Sequence, residues 1–463
     1  MLHVHPHLAG SGAVGSGQLN RIHSDPRWAR AVEADAGGQA IAAELLYIAL
    51  LQEYPAESTL VRRLARLANL RGDAARAVAF LSNFRTDRDD DGNVALELAQ
   101  SLAAAGRPNE AEQTLETLVA ASPDHAVGWL VLGRLRELRG DSPGTLKAWY
   151  QAVIRSQRHG RWHDSNSTPA QWRDLVVRAI ERVRAGRREL FLGAYDDLRL
   201  QHGASELRRV DRALAAWMHD WDATPADPRQ RPRFFYFPDL PGGPFHDPLL
   251  QPWARHLAEA FPEIRQDALR VTAEDRSLPN FIDPPTGGRP DDYVDGEGPN
   301  PSWKAFFFYR HGERLHDNHA RCPMTSGILE SLELCRIHEE APEILFSVLA
   351  PGSHIKAHHG VTNVRLVMHL PLVVAPGCCL RLVDHGDHVW REGRLVLFDD
   401  TYLHEAWNNS DRTRMVLLMD CWNPHLSPIE KLAVKQLIEA ISGLHLAATP
   451  RTRGQRGGGV MQE

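Results

Sequence analysis

The chain of 463 residues is poor in cysteine and has no long apolar run. Its five cysteines are odd in number and include no Cys-x-x-Cys pair, so neither a zinc site nor a disulfide framework is predicted. We expect free thiols in a reducing cytoplasm. No stretch of about 18 apolar residues suggests a membrane span. The N-terminus lacks the basic and apolar regions of a signal peptide.

An excess of positive charge is also missing. The net charge is -6 and the pI is about 6.5, so no basic field exists that would hold nucleic-acid phosphates. Hydrophobic residues make up 43% and charged residues 24%, as is typical of globular proteins. The length predicts about two or three domains.

The first third of the chain contains an internal repeat. Gly38, Gly72, Gly106 and Gly140 follow one another at intervals of 34 residues. Alanine stands five residues after each of the first three glycines, within Ala- and Leu-rich helical patterns. This period, with small residues where helices cross, resembles the tetratricopeptide repeat over about residues 25–160. An unrelated helical bundle with accidental spacing is the alternative.

The patterns predict a multidomain chain. An all-α tetratricopeptide-like superhelix (25–160) follows a disordered N-terminus (1–24), and a helical linker or cap (161–230) comes next. The short strands that dominate after residue 340 have Gly, Pro, Asp and Asn turns between them, which favours an antiparallel sandwich or jelly roll. A double-stranded β-helix domain with flanking helices is therefore predicted over 231–430. A C-terminal helix and a disordered tail complete the chain over 431–463.

Two histidines and an arginine occur on these predicted strands in an order typical of 2-oxoglutarate oxygenases. His358 ends one strand, His404 follows 46 residues later, and Arg414 follows ten residues after that. Neutral imidazoles suit Fe(II), and a planar guanidinium can hold the distal carboxylate of 2-oxoglutarate. The usual carboxylate ligand, two residues after the first histidine, is absent because Gly360 occupies its place.

The text around these residues, FSVLAPGSHIKAHHGVTNVRLVMHLPL and RLVLFDDTYLHEAWNNSDRTRMVLLMDCWNP, resembles the aspartyl/asparaginyl β-hydroxylase family. In that family two histidines hold iron and water fills the place of the carboxylate. The resemblance extends through WKAFFFYRHGERLHDN and covers roughly residues 232–430. It implies that His358 and His404 are the iron ligands.

The resemblance also implies how the cosubstrate is bound. Arg414 and Ser347 would hold the distal carboxylate of 2-oxoglutarate, and His369 would meet the carboxylate near the metal. The residue types agree, because Ser347 offers a hydroxyl donor and His369 alternates with apolar neighbours on an inward-facing strand. A structural core histidine is the alternative for His369.

Other polar residues near these positions are expected to play supporting or structural roles. Asp399 and Asp400 precede His404 in a turn and are interpreted as capping or supporting residues rather than metal ligands. Four further histidines are interpreted as exposed or structural: His354, His359, His385 and His388.

One departure from the family concerns the substrate. Animal members that hydroxylate Asp or Asn carry an arginine two residues before the position of His369, and another just upstream of the position of Trp303. Val367 occupies the first position, and GEGPNPSW offers no arginine for the second. Aspartyl specificity is therefore not expected.

The sequence thus predicts an Fe(II)- and 2-oxoglutarate-dependent enzyme that uses O2 to hydroxylate a C–H bond. A peptide or protein partner is expected on the repeats, where it would be either the substrate or a regulator. Two alternatives stay open: a non-catalytic tetratricopeptide scaffold with a degenerate jelly-roll domain, and a metal enzyme of cupin type that does not use 2-oxoglutarate.

Overall fold

The computed structural model describes residues 22–84, 91–274, 277–282 and 292–446. The chain divides into two compact units, with the border between Ala185 and Gly186. The predicted disordered N-terminus, up to residue 21, and the predicted disordered tail, from residue 447, lie outside the described residues.

The first unit is helical. Its elements are α1 (Pro26–Ala36), α2 (Ala40–Glu53), α3 (Ser58–Leu70), α4 (Ala74–Ser82), α5 (Asp91–Ala104), α6 (Pro108–Ala121), α7 (Ala126–Leu138) and α8 (Ser142–Arg158). They form four consecutive helix pairs, each joined by one of the four periodic glycines. These glycines have φ between 74° and 78°, a left-handed conformation that ends the first helix of each pair.

The same capping bond recurs in every turn. Gln39 N donates to Ala34 O at 2.8 Å, and the equivalent bond 34 residues later joins Asp73 N to Ala68 O at 2.9 Å. The alanines five residues after the first three glycines are fully buried, which lets the paired helices approach closely. The predicted period is therefore a real structural repeat.

The second unit begins with a helical segment and ends with a long helix. Its helices are α9 (Arg173–Gly193), which crosses the border, α10 (Asp196–His202), α11 (Arg208–Trp217), α12 (Ala254–Glu259), α13 (Phe261–Glu274), α14 (His316–Arg321), α15 (Pro323–Glu330) and α16 (Pro428–Leu446). Arg209 on α11 donates to Glu430 on α16 at 2.7 Å. The segment before the predicted boundary at residue 231 is thus bonded to the C-terminal helix.

Twelve strands are described in this unit. They are β1 (Phe245–His246), β2 (Val294–Gly296), β3 (Trp303–Arg310), β4 (Glu313–Arg314), β5 (Ile344–Leu349), β6 (Ser353–His358), β7 (Arg365–Val373), β8 (Cys378–Leu382), β9 (Gly386–His388), β10 (Val396–Phe398), β11 (His404–Asn408) and β12 (Arg414–Trp422). The prediction of an antiparallel C-terminal sheet domain is confirmed.

The strands form two antiparallel sheets. The seven-stranded sheet has the order β1-β10-β7-β12-β5-β3-β4, and the five-stranded sheet has the order β2-β6-β11-β8-β9. One face of the larger sheet packs on α12, α13 and α15 through a buried apolar cluster that includes Ile264, Met368 and Leu417. A second cluster, including Val367, Phe398 and Leu380, lies between the sheets.

No helix within the described ranges is both long and apolar enough to cross a membrane.

Candidate active site

The two candidate iron ligands meet on neighbouring strands of the smaller sheet. His358 ends β6 and His404 begins β11, and their Cα atoms are directly paired across the ladder. The two imidazole centroids lie 4.1 Å apart. A register shift just after His404 marks a local irregularity, a device that often re-aims a side chain next to a site. Residues 46 positions apart are therefore brought side by side.

Backbone bonds select the ring nitrogen that each histidine presents. His358 Nδ1 lies 2.8 Å from Lys356 O, and His404 Nδ1 lies 3.0 Å from Tyr402 O. A carbonyl only accepts, so each Nδ1 carries the hydrogen and each Nε2 keeps its lone pair. Burial lowers the pKa of both imidazoles, and for His404 the neighbouring His358 lowers it further. Both rings are thus neutral, which is the form that binds a metal ion.

Arg414 and Ser347 are adjacent on the larger sheet. Arg414 begins β12, is only 2% exposed, and donates to Ser347 Oγ at 3.3 Å. Trp303 Nε1 also donates to Ser347 Oγ, at 2.8 Å. Because the hydroxyl oxygen already accepts two bonds, its own hydrogen is directed elsewhere. The guanidinium carbon of Arg414 lies 4.8 Å from the ring centroid of Trp390.

No carboxylate among the described residues pairs with Arg414. Its Nε is buried without a hydrogen-bond partner, and burial lowers the pKa of the guanidinium to about 10. A buried cation without a counter-charge is costly, so a bound anion would stabilise it. The arrangement suits a carboxylate.

His369 is buried beside this arginine. Both of its ring nitrogens are unpartnered within the described part of the chain. Burial, assisted by the charge of Arg414, lowers the pKa of His369 to about 3, so the ring is neutral. Its centroid lies 5.1 Å from that of Phe398, which lies 5.6 Å from that of His404. A satisfied core histidine would have a partner, so a role toward a ligand is the better interpretation.

Of the two aspartates ahead of His404, Asp399 holds the turn with its side chain, whereas Asp400 takes part through its backbone carbonyl. The Asp399 carboxylate accepts from Thr401 N at 2.9 Å, from Thr401 Oγ1 at 2.5 Å and from Gln230 Nε2 at 2.6 Å, which fixes the turn. Asp400 O accepts from Gly360 N at 2.6 Å. A side chain at Gly360 would collide with the Asp400 carboxyl group. The usual third-ligand position therefore has no room for a carboxylate.

A segment that sequence reasoning did not single out joins both ligand strands. Residues 230–237 run beside them, with Arg231 N bonded to Thr401 O at 2.9 Å and Arg233 N bonded to Gly360 O at 3.1 Å. Asn363 clamps the segment, because its side chain bonds both Phe237 N and Phe237 O at 2.8 Å. The aromatic composition of this segment gives no signal of these backbone bonds.

The remaining histidines have other surroundings. His354 bonds Asp295 and Glu405 at 3.1 and 2.9 Å, and His359 Nδ1 lies 2.8 Å from Thr401 O. His385 and His388 stack edgewise or tilted against Tyr402 and Phe245. None of these contacts is with the iron-ligand pair. Across the described ranges, no group of three or more His, Cys, Asp or Glu residues is placed to hold a metal.

Comparisons with known proteins bear on the family of the chain's two regions. The family model described as aspartyl/asparaginyl beta-hydroxylase matches residues 258–424, and that of the tetratricopeptide repeat matches residues 68–135. Residues 258–424 form a domain of the aspartyl/asparaginyl β-hydroxylase family. Both resemblances found in the sequence are thereby confirmed.

Individual relatives match the same part of the chain. The ornithine lipid ester-linked acyl 2-hydroxylase of Rhizobium tropici is 34% identical over 187 residues, which are 40% of this chain and 62% of that protein. The human aspartate beta-hydroxylase domain-containing protein 2 is 30% identical over 208 residues, 44% of this chain and 54% of that protein. The chain thus spans between about half and two thirds of these curated relatives.

Among solved structures, a prolyl-4-hydroxylase of Pseudomonas putida has 18% identity and a TM-score of 0.24, and it covers 36% of this chain and 88% of that one. A likeness this remote carries no argument.

The five cysteines are all free and buried.

Proposed function

We propose that the chain is an Fe(II)- and 2-oxoglutarate-dependent oxygenase that hydroxylates a C–H bond. The observation that carries the proposal is the paired His358 and His404, each with Nδ1 fixed by a backbone carbonyl and Nε2 left free. Two neutral nitrogen donors suit Fe(II) and leave most coordination positions open for cosubstrate and O2.

The neighbouring residues fit 2-oxoglutarate. Arg414 has no protein counter-charge within the described ranges, and Ser347 has a hydroxyl hydrogen to donate, so together they would bind the distal carboxylate. His369, whose ring nitrogens are also unpartnered, would bond the carboxylate near the metal. When bound, iron, 2-oxoglutarate and O2 would supply the oxidising chemistry, with 2-oxoglutarate converted to succinate and CO2.

This chain's own contribution is positioning and exclusion of water. Asp399 and the segment 230–237 hold the two ligand strands together, and Trp303, Trp390 and Phe398 surround the polar groups with apolar surface. We also propose that the two facing sheets are a double-stranded β-helix, the fold in which such a site lies between sheets.

The repeats support a polypeptide partner, because tetratricopeptide arrays commonly bind extended peptides. Such a partner would be the substrate, with a side chain presented to the iron, or a protein that regulates or delivers the substrate. We also propose a cytoplasmic location, because the five free cysteines suit a reducing compartment.

An anaerobic titration with Fe(II) and 2-oxoglutarate, followed by O2 addition and measurement of succinate, tests the oxygenase. We expect 2-oxoglutarate to bind in an iron-dependent way and succinate to appear slowly without substrate. Binding of neither would favour the degenerate scaffold. Binding of iron but not of 2-oxoglutarate would favour the cupin-type alternative.

A further inference from the structure

The second helix of the first repeat, α2, is apolar on its solvent side as well as on its packed side. Its sequence, AIAAELLYIALLQE, contains a single charged residue, Glu44, ahead of its last position. Ala43 and Tyr47 are fully buried, whereas Ile41 and Leu45 are 70% and 64% exposed. A helix that is apolar all round is normally covered on every side. The solvent side of α2 therefore has the composition of a contact surface.

The other repeats do not share this feature. The positions of Ile41 and Leu45 recur at intervals of 34 residues, and they are exposed in every repeat. In the later repeats they carry small or polar residues: Ala75, Asn109 and Pro143 at the first position, and Ala79, Gln113 and Lys147 at the second. Large apolar side chains at these positions are thus a property of the first repeat, because the fold of the helix pair does not require them.

The surface has a projecting part, a hollow and no free acidic group. The Glu44 carboxylate, only 8% exposed, is ion-paired with Arg71 and, at 2.7 Å, with Arg76. Both arginines keep part of their side chains in solvent, at the border of the apolar residues. A hollow of about 630 Å³ adjoins them, and its lining includes Gly38, Ile41, Leu45 and Arg71.

We propose that the α2 face, formed by Ile41, Ala42 and Leu45 with the adjoining hollow, binds the same face of a second copy of this chain. A two-fold interface brings each patch against itself, so the patch must offer both a projection and a hollow, and no charge at its centre. The α2 face meets these requirements. Ile41 and Leu45 also lie four residues apart, and ridges with this spacing interdigitate when two helices pack.

The residues ahead of α1 are a less suitable occupant of the α2 face. They contain four glycines within eight residues: Gly10, Gly12, Gly15 and Gly17. Fixing the backbone of each residue costs roughly 1–2 kcal/mol, and more for glycine. Burying one Ile or Leu side chain contributes only about 1.5–3 kcal/mol. A helix of a second copy is already folded and has no such backbone cost, so charge, shape and entropy all favour it.

Sedimentation equilibrium of the full chain tests the proposal. We expect the mass of one chain, 51.8 kDa, at low concentration. The mass should rise toward twice that value by about 100 µM, because one helix face per copy is a small interface. Ile41→Asn/Leu45→Gln introduces the residues that the third repeat carries at these exposed positions. This variant should stay monomeric, with its fold checked by circular dichroism.

Leu138→Asn is the matched control. Leu138 is 66% exposed and ends α7, the first helix of the fourth repeat, so its replacement removes a similar apolar side chain from another place. The variant should associate like the wild type. If it and Ile41→Asn/Leu45→Gln weaken association equally, the α2 face is not the interface and the proposal is wrong.

An added cysteine shows which molecule covers the α2 face. All five native cysteines are buried, so Leu45→Cys supplies a thiol that a maleimide reaches first. Its labelling rate should fall several-fold as the protein concentration rises through the range of association, whereas the rate for Leu138→Cys should not change. A decrease confined to Leu45→Cys supports contact between copies.

A wild type that stays monomeric at the highest concentration would overturn the proposal. Rapid labelling of Leu45→Cys would then show an open surface, and slow labelling at every concentration would show that another part of the same chain covers it. Neither measurement uses iron, 2-oxoglutarate or succinate formation, so the outcome does not depend on the proposed oxygenase activity.

Discussion

Replacing Arg414 with Met should weaken 2-oxoglutarate binding while making the ligand-free protein more stable. Burial lowers the pKa of the guanidinium from 12.5 to about 10. At neutral pH the arginine is charged, so the whole penalty is present; it would disappear only as the pH rose through about 10 toward 12.5. The shift corresponds to about 3 kcal/mol. Methionine has a similar shape and no charge to bury.

Bound 2-oxoglutarate would turn the unfavourable contribution of the buried Arg414 charge into a favourable one. In the wild type the distal carboxylate of 2-oxoglutarate would relieve the unpaired charge, whereas in Arg414→Met the carboxylate itself would be buried without a partner. Breaking one member of such a pair costs roughly 2–5 kcal/mol. We therefore expect affinity to fall by a factor of about thirty to several thousand, with iron affinity almost unchanged.

Urea unfolding of the ligand-free protein gives the first quantity, and anaerobic calorimetry with Fe(II) and 2-oxoglutarate gives the second. Arg412→Met is the matched control, because Arg412 lies two residues away and is exposed; it should change neither. An Arg414→Met protein that is less stable than the wild type and binds 2-oxoglutarate equally well would show that the guanidinium is structural.

Three further experiments test other parts of the structure. Alanine in place of either proposed iron ligand should abolish iron binding, measured by anaerobic titration, whereas His385→Ala should not; equal affinity in all three variants would refute the assignment. Burial raises the pKa of Asp400 from 3.8 to about 7, against the opposing charge of its neighbour Arg365. The wild-type free energy of unfolding should therefore decrease by up to about 4 kcal/mol as the pH rises from about 4 to about 7. In urea titrations the Asp400→Asn variant should lack this decrease. The same pH profile in both proteins would contradict the raised pKa of Asp400. A truncated protein beginning at Gly186 should keep iron and 2-oxoglutarate binding. One beginning at Arg231 should melt at a lower temperature than the first, because it loses Arg209 and its bond to the C-terminal helix. Equal melting temperatures would show that this bond contributes nothing to stability.

Much of the architecture could be predicted from local patterns. The 34-residue period marks turns that need a left-handed residue, so the glycines of the repeat show directly in the sequence. The long strands β5, β7 and β12 are apolar on both faces because they are covered by helices on one side and the smaller sheet on the other. Runs of this kind are strong signals even in a single sequence.

The elements that complete the site are less visible. Strands β1, β9 and β10 have only two or three residues each, too short for a periodic pattern, yet Phe398 on β10 lies against both His369 and His404. The segment 230–237 is held by backbone bonds, which residue types do not encode. The helical stretch from Ala254 to Glu274 is divided into α12 and α13, because Pro262 lacks the N–H that would continue the preceding helix.

The alternative of a non-catalytic scaffold can be judged from energetics. A domain that served only as a support would be more stable with apolar residues in place of Arg414 and His369, because both side chains are buried, and both keep polar atoms unpaired within the described residues. Arg414 is bonded to Ser347, and His369 is separated by the Phe398 ring from His404, whose Nε2, like that of His358, is not used in a backbone bond. One such group could be an accident of packing. Several unpaired polar groups at the same place are instead expected of a binding site whose ligands make the missing bonds. Here the guanidinium matches the negative charge of a small dicarboxylate, and the imidazole nitrogens match a metal ion.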